Sequence, residues 1–305
     1  MGAGIVKGIG RMTTEVTPVT PALEEAAERA ERRRGVRLAL PGFVYLVIFF
    51  AVPLVIVFIY SFATRSATGK TLLEDWNLES YRQLAKPLVL EIAWRSLWLA
   101  ALSTVICLLL AYPFAYFIAT RRPAVRNILL VLVMIPFWSN FLVRTYAWRV
   151  LLGSDGPVSQ LTELLGLGET RILFTPFAVL IGLVYGFLPF MVLPLYAAIE
   201  RIDWSLIEAA RDLYASGWES FRRVTWPLSR PGVIAGSILV FIPSLGAYVT
   251  PEILGGAKTT LLGSYIVNQF LAARNWPFGS AMSFAVMAVM LAATLIYFRA
   301  GGKNL

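Results

Sequence analysis

The sequence predicts an all-α integral membrane protein with six transmembrane helices, and three observations carry that prediction. Of the 305 residues, 58% are hydrophobic and 15% are charged, whereas soluble domains carry about 25% charged residues. The apolar residues fall in six runs, each long enough for a helix to cross about 30 Å of hydrocarbon. Lys and Arg gather in alternate connections between those runs, the asymmetry that the positive-inside rule describes.

Residues 1–37 form a polar N-terminal tail. The stretch Pro21-Ala-Leu-Glu-Glu-Ala-Ala-Glu-Arg is too acidic and lies too deep in the chain for the basic start of a signal peptide, so the following apolar run is expected to stay in the protein. The domain spans 38–299, with runs at 38–62, 94–119, 127–151, 176–198, 231–254 and 278–299, and 300–305 is a short C-terminal tail. Pro53, Pro113, Pro136, Pro189, Pro194 and Pro243 fall inside runs, where membrane helices accept proline as a kink. Gly232 with Gly236, and Gly182 with Gly186, have the spacing that lets helices approach closely. Seventeen basic residues lie in the tails, in 120–126 and 199–230 and, as Arg299, at the end of the last run, against seven in the opposite set. Both termini are therefore expected in the cytoplasm. The net charge of +9 belongs to those loops rather than to a nucleic-acid surface.

The chemistry of the chain is sparse. Histidine is absent and Cys107 is the only cysteine, which excludes an internal disulfide and a Cys/His metal site. Gly69-Lys70-Thr71 lacks the glycine five residues earlier that a phosphate loop requires, since position 64 is threonine. No nucleophile elbow and no paired intramembrane carboxylates occur. An enzyme or a receptor is disfavoured, and no catalytic residue and no metal ligand are assigned.

The segment 199–230 is the most informative. Ile202, Leu206, Ala209, Ala210 and Leu213 recur at helical spacing opposite Arg201, Glu208, Arg211 and Asp212. Ser216 and Glu219 read as a capping box that opens a second short helix, with Gly217 near the turn. Such a helix pair suits either a partner's groove or a lipid surface.

Glu208-Ala209-Ala210 followed by Trp226-Pro227-Leu228 resembles the EAA loop of ABC-importer permeases. Ile135–Trp148, Gly186–Tyr196, Gly236–Gly256 and Asn275–Gly279 resemble the spermidine/putrescine branch of that family, and the likeness covers about 38–299. The resemblance implies a type I ABC importer permease with no cofactor of its own. Its implied partners are a homologous second permease subunit, two ABC ATPase subunits that bind ATP and Mg, an extracytoplasmic substrate-binding protein and the lipid bilayer of the bacterial plasma (inner) membrane. Glu208, Ala209, Ala210, Gly217 and Pro227 would belong to the ATPase-coupling loop. Tyr214 stands where the family has glycine, which suggests a first helix running on toward Ser216 with Gly217 making the break.

A polyamine route calls for carboxylates and aromatic faces. Glu252 is the only carboxylate inside the six runs, and Trp138, Tyr146, Trp148 and Tyr248 offer rings. The opposing expectations are a helix-end cap for Glu252 and an interfacial belt for the rings. Arg144 pairs either with Glu252 or with the second subunit. Cargoes other than a polyamine, such as an amino-acid derivative, thiamine or ferric iron, fit the same machinery.

Overall fold

The structure is a computed structural model that describes residues 35, 37–66, 70–73, 76–164 and 171–301. The tail 1–37 lies almost wholly outside the described residues, as do 302–305. Two compact units are distinguished, Met1–Val57 and Phe58–Leu305, and everything that follows concerns the second apart from helix α1, Arg37–Ser61, which crosses the boundary. After α1 come two short antiparallel strands, β1 (Thr64–Arg65) and β2 (Thr71–Leu72), with Thr64 opposite Leu72. Then follow α2 (Glu79–Gln83), α3 (Pro87–Ala119), α4 (Pro123–Trp138), α5 (Phe141–Leu151), α6 (Pro157–Leu164), α7 (Pro176–Glu200) and α8 (Ser205–Asp212). The chain closes with α9 (Gly217–Leu245), α10 (Leu262–Leu271) and α11 (Trp276–Gly301).

Among the described residues, α1, α3, α7 and α9 are long and apolar enough to cross a bilayer, and α4 with α5 makes a fifth crossing if the pair is one span. The apolar part of α11, Trp276–Ala292, is shorter. The helices at 38–62 and 176–198 agree closely with the sequence expectation, and three others differ. The second span begins at Pro87 rather than 94, because a proline at the first helical position is compatible with a helix start. The third expected span, 127–151, is broken and bends by 88° between α4 and α5. Ser139 and Asn140 take extended backbone there, and the Leu142 amide donates to Asn140 Oδ1 at 2.8 Å, so Asn140 caps a new helix. The fifth expected span, 231–254, instead starts at Gly217 and stops at Leu245.

Helices α3, α7 and α9 pack on one another and form the core. Toward the end that carries 199–230, here the loop end, Ala111, Ala115 and Ile118 of α3 meet Met191, Leu195 and Ile199 of α7 and Val240 of α9. At the opposite end Leu99, Val179, Leu183, Leu254 and Leu261 form a second cluster. In lipid, helices associate through close packing rather than through the hydrophobic effect, and the glycines permit it. A Cβ on Gly236 would lie 2.7 Å from Met191 Sδ, and one on Gly182 would lie 2.6 Å from both Leu254 Cδ1 and Thr250 Cγ2. Gly232 and Gly236 thus serve the contact of α9 with α7, and Gly182 the contact of α7 with the 250–254 segment, whereas a Cβ on Gly186 would meet nothing nearer than Phe141 at 3.7 Å.

Candidate functional site

At the loop end the chain leaves α7 at Glu200 and turns through Arg201. The Ser205 amide donates to Asp203 Oδ1 at 3.0 Å. Together with the Ser205 hydroxyl, this bond holds the Asp203 carboxyl below the usual carboxylate range. Helix α8 then presents one face to the core: Ile207 and, just before the helix, Ile202 are buried, and Trp204 meets Tyr116 edge-on at 6.0 Å. The inward residue is Ile207, whereas the sequence pattern points to Leu206. Leu206 is 47% and Leu213 82% exposed, so part of the expected inner face looks outward. Glu208 and Ala209 are also exposed, and Ala210 is half-buried.

The end of α8 corrects a second expectation. The helix does not run on toward Ser216. The Tyr214 amide donates to the Arg211 carbonyl at 2.9 Å and the Ala215 amide to the Ala210 carbonyl at 3.0 Å. This is the Schellman arrangement that closes a helix. It requires a left-handed residue, and Tyr214 itself supplies it at φ 60. Gly217 makes no break and is the first residue of α9. The capping box does form: the Ser216 amide donates to Glu219 Oε2 at 2.9 Å and the Glu219 amide to Ser216 Oγ at 3.2 Å. It opens no separate short helix, because the turn continues through a π turn, Phe221–Thr225, into Trp226–Leu245. Pro227 explains that turn. It has no N–H for the Arg223 carbonyl, and the widened turn lets the Trp226 amide donate to the Phe221 carbonyl instead.

Aromatic side chains clamp the loop to α3. Tyr112 meets Phe221 edge-on and Trp226 at a tilt, both at 5.5 Å, and Trp218 stacks on Phe221 at 5.4 Å. The Tyr112 and Ser229 hydroxyls are 2.7 Å apart. The outer part of this surface, with Leu213, Tyr214 and Trp218 exposed beside Glu208 and Arg211, is partly apolar.

At the opposite end the residues singled out for a cation route are only partly gathered. Glu252 lies outside a span, in the π-helical turn Pro251–Gly255 beyond α9, and is exposed. That turn packs on α5 and α7. The Glu252 amide donates to the Tyr248 carbonyl at 3.1 Å, so these two residues are one turn apart. Trp148 is half-buried against the same cluster as Ile253 and sits edge-on to Tyr185 at 5.4 Å. Tyr146 projects from α5 and Trp138, 79% exposed, stands before the bend. Among the described residues no ring contact joins Trp138, Tyr146 and Tyr248.

Arg144 forms no pair with Glu252, and neither has an ion-pair partner among the described residues. Its guanidinium lies 5.5–6.0 Å from the rings of Phe137, Phe141 and Tyr185. Its Nε and Nη1 are buried without a hydrogen-bond partner. Sequence reasoning missed this ring set, Ile207 and the Tyr112–Ser229 contact; the clustering of Trp and Phe around Pro227 was the available signal for the last.

Residues 111–301 match the family described as binding-protein-dependent transport system inner membrane component. Over 260 residues the chain is 43% identical to the spermidine/putrescine transport system permease protein PotB of Haemophilus influenzae, covering 85% of this chain and 91% of that one. It is likewise 43% identical over 258 residues to PotB of Escherichia coli K12, covering 84% and 94%. The fold matches a chain of the bacterial alginate ABC transporter solved in complex with alginate pentasaccharide-bound periplasmic protein, with a TM-score of 0.71, 17% identity and 90% and 95% coverage. The chain therefore belongs to the binding-protein-dependent inner membrane permeases. It is an ABC importer permease, and its relatives are transport proteins rather than enzymes.

Proposed function

We propose that this permease imports spermidine or putrescine, forming half of the translocation pathway. The observation that carries the cargo is the 43% identity, over 85% of the chain, to a permease named for those two polyamines. In this reading both termini face the cytoplasm, and a homologous second permease subunit forms the other half of the path. An extracytoplasmic binding protein delivers the cargo. Of two ABC ATPase subunits, one docks on α8 and the first turn of α9 of this chain and the other on the second permease subunit, and they alone bind ATP and Mg; this chain holds no cofactor.

The mechanism follows from two packed states selected by nucleotide. Closure of the ATPase pair displaces the loop 199–230, and the core helices switch the cavity from inward to outward. Apolar Leu213, Tyr214 and Trp218 supply contact area, with Glu208 and Arg211 setting orientation. Support for the loop reading is how α8 is held: both its ends are closed by hydrogen bonds and one face is anchored by Ile207. On the opposite side Glu252 attracts the polycation, and Tyr248, Tyr146, Trp148 and Trp138 offer aromatic faces. A different small solute is the second reading, favoured by the unpaired cation of Arg144.

Reconstitution of the complex in proteoliposomes with its loaded binding protein tests this. Labelled spermidine should accumulate only with internal ATP, and Glu208→Lys should reduce both ATPase co-purification and uptake. A wild-type complex that binds the ATPase yet takes up neither polyamine would refute the cargo. Unchanged behaviour of Glu208→Lys would refute the coupling loop.

A further inference from the structure

Helix α4 is attached to its neighbours by few devices, and one of them is ionic. None of its described side chains is buried. Leu129, Leu130 and Val133 pack from the side onto the loop-end core, and Phe137 meets Phe190 of α7 edge-on at 5.0 Å. In its first turn, Arg126 Nη1 lies 2.6 Å from Glu200 Oε1. The two side chains are 26% and 36% exposed, so the pair is shielded from salt more than a free surface pair would be. Tyr196, one turn before Glu200, lies within electrostatic reach of both charges.

The position of this pair gives it meaning. Glu200 is the last residue of α7, and the chain passes from it directly into the loop that carries α8. Arg126 begins the helix whose far end carries the 88° break and then α5 with Arg144. Apolar contacts along α4 are non-directional and allow one helix to slide over another. An ion pair, by contrast, ties two particular groups together at one point. At the loop end, Arg126–Glu200 is the ion pair that joins α4 to α7 among the described residues.

We infer that the Arg126–Glu200 pair is the link through which displacement of the 199–230 loop is passed to α4, and through it to the broken third span. Both are positioning residues that act through the helices they join. The inference rests on the proposed coupling role of that loop, and its test separates the two.

The assembled complex is spin-labelled at two pairs of sites, Leu206 with Leu109 to follow the loop and Val125 with Leu109 to follow α4; all three side chains are exposed. Distances are measured with and without ATP and vanadate, after co-purification shows that the ATPase is bound. In the wild type both distances should change. In Arg126→Gln and in Glu200→Gln the loop distance should still change, while the α4 change falls to less than half. Arg126→Lys, which keeps the charge, and the swap Arg126→Glu with Glu200→Arg should both restore the α4 change. An α4 change that survives in both single variants would show an idle surface pair and overturn the inference. Loss that neither Arg126→Lys nor the swap restores would overturn it too, because the residues would then act separately, and so would loss of the loop change along with the α4 change. A wild-type loop that does not move with nucleotide would sink the coupling-loop reading itself, and the inference with it.

Discussion

The hydroxyl of Tyr112 on α3 stands 2.7 Å from that of Ser229 on α9, in the buried core beneath the 199–230 loop. Ser229 also lies 3.1 Å from the Trp226 carbonyl, to which it donates. Tyr112 is thus the donor to Ser229, and its ring touches both Phe221 and Trp226. Tyr112→Phe keeps the ring contacts and leaves Ser229 with its other bond. The expected loss is about 0.5–1 kcal/mol, read as a small fall in the melting temperature of the purified complex. Tyr112→Ala removes the ring as well and should destabilise by roughly 3–5 kcal/mol. Equal effects of the two changes would show that the ring contacts contribute nothing.

The left-handed Tyr214 leads to a second expectation. Holding a non-glycine residue there costs about 1–2 kcal/mol, part of which Tyr214→Gly would recover before the greater freedom of an unfolded glycine offsets it. Tyr214→Gly should be neutral or slightly stabilising and should keep α8 intact, as measured by amide exchange at Ala215. A β-branched residue tolerates this region worst, so Tyr214→Val should speed that exchange. Gly217→Ala, with open space around its Cβ position within the chain, should leave exchange at Ala215 unchanged.

Two glycines on α7 give a contrasted pair. Gly182→Ala places a methyl 2.6 Å from Leu254 Cδ1 and Thr250 Cγ2, whereas Gly186→Ala meets nothing nearer than Phe141 at 3.7 Å. The first should destabilise by about 1–3 kcal/mol as the 250–254 segment is forced off α7. The second should be close to neutral. Denaturation midpoints of the two variants measured side by side decide it; equal midpoints would show that the segment is not packed on α7.

Glu252→Gln removes charge while keeping shape. If the carboxylate draws a polycation toward the path, uptake should slow several-fold, with unchanged ligand affinity of the separate binding protein. Because Glu252 makes no pair with Arg144 among the described residues, assembly should stay normal. Wild-type uptake would remove Glu252 from the route, and lost assembly would point to a partner on another chain.

Much of this architecture is legible from hydropathy because a membrane span is a one-dimensional signal. The runs at 38–62 and 176–198 lie within a few residues of α1 and α7. Hydropathy averages across a window, so it passes over the break at Ser139 and Asn140, although Asn140 is a recognisable cap. Arg222, Arg223 and Arg230 depress the average at the start of α9, which is why that span is placed too late in the sequence. The choice of Leu206 over Ile207 is a phase error of one residue in a helix only eight residues long. Expecting the helix to run past Tyr214 follows from treating glycine as necessary for a helix stop, when the Schellman bonds need only the conformation. The isolation of Arg144 from Glu252 and the pairing of Arg126 with Glu200 are tertiary facts with no local pattern behind them.

The π turn Phe221–Thr225 holds one residue more than an α-helical turn. An α-helix advances about 100° per residue, so that surplus residue rotates everything before it relative to everything after it by about that angle. The compass bearing of Trp218, Tyr214 and Glu208 around the axis of Trp226–Leu245 is therefore a counting property of the chain. Deleting one residue between Phe221 and Thr225 would leave the side chains of Glu208, Tyr214 and Trp218 unchanged, yet turn them by about that angle relative to Trp226–Leu245.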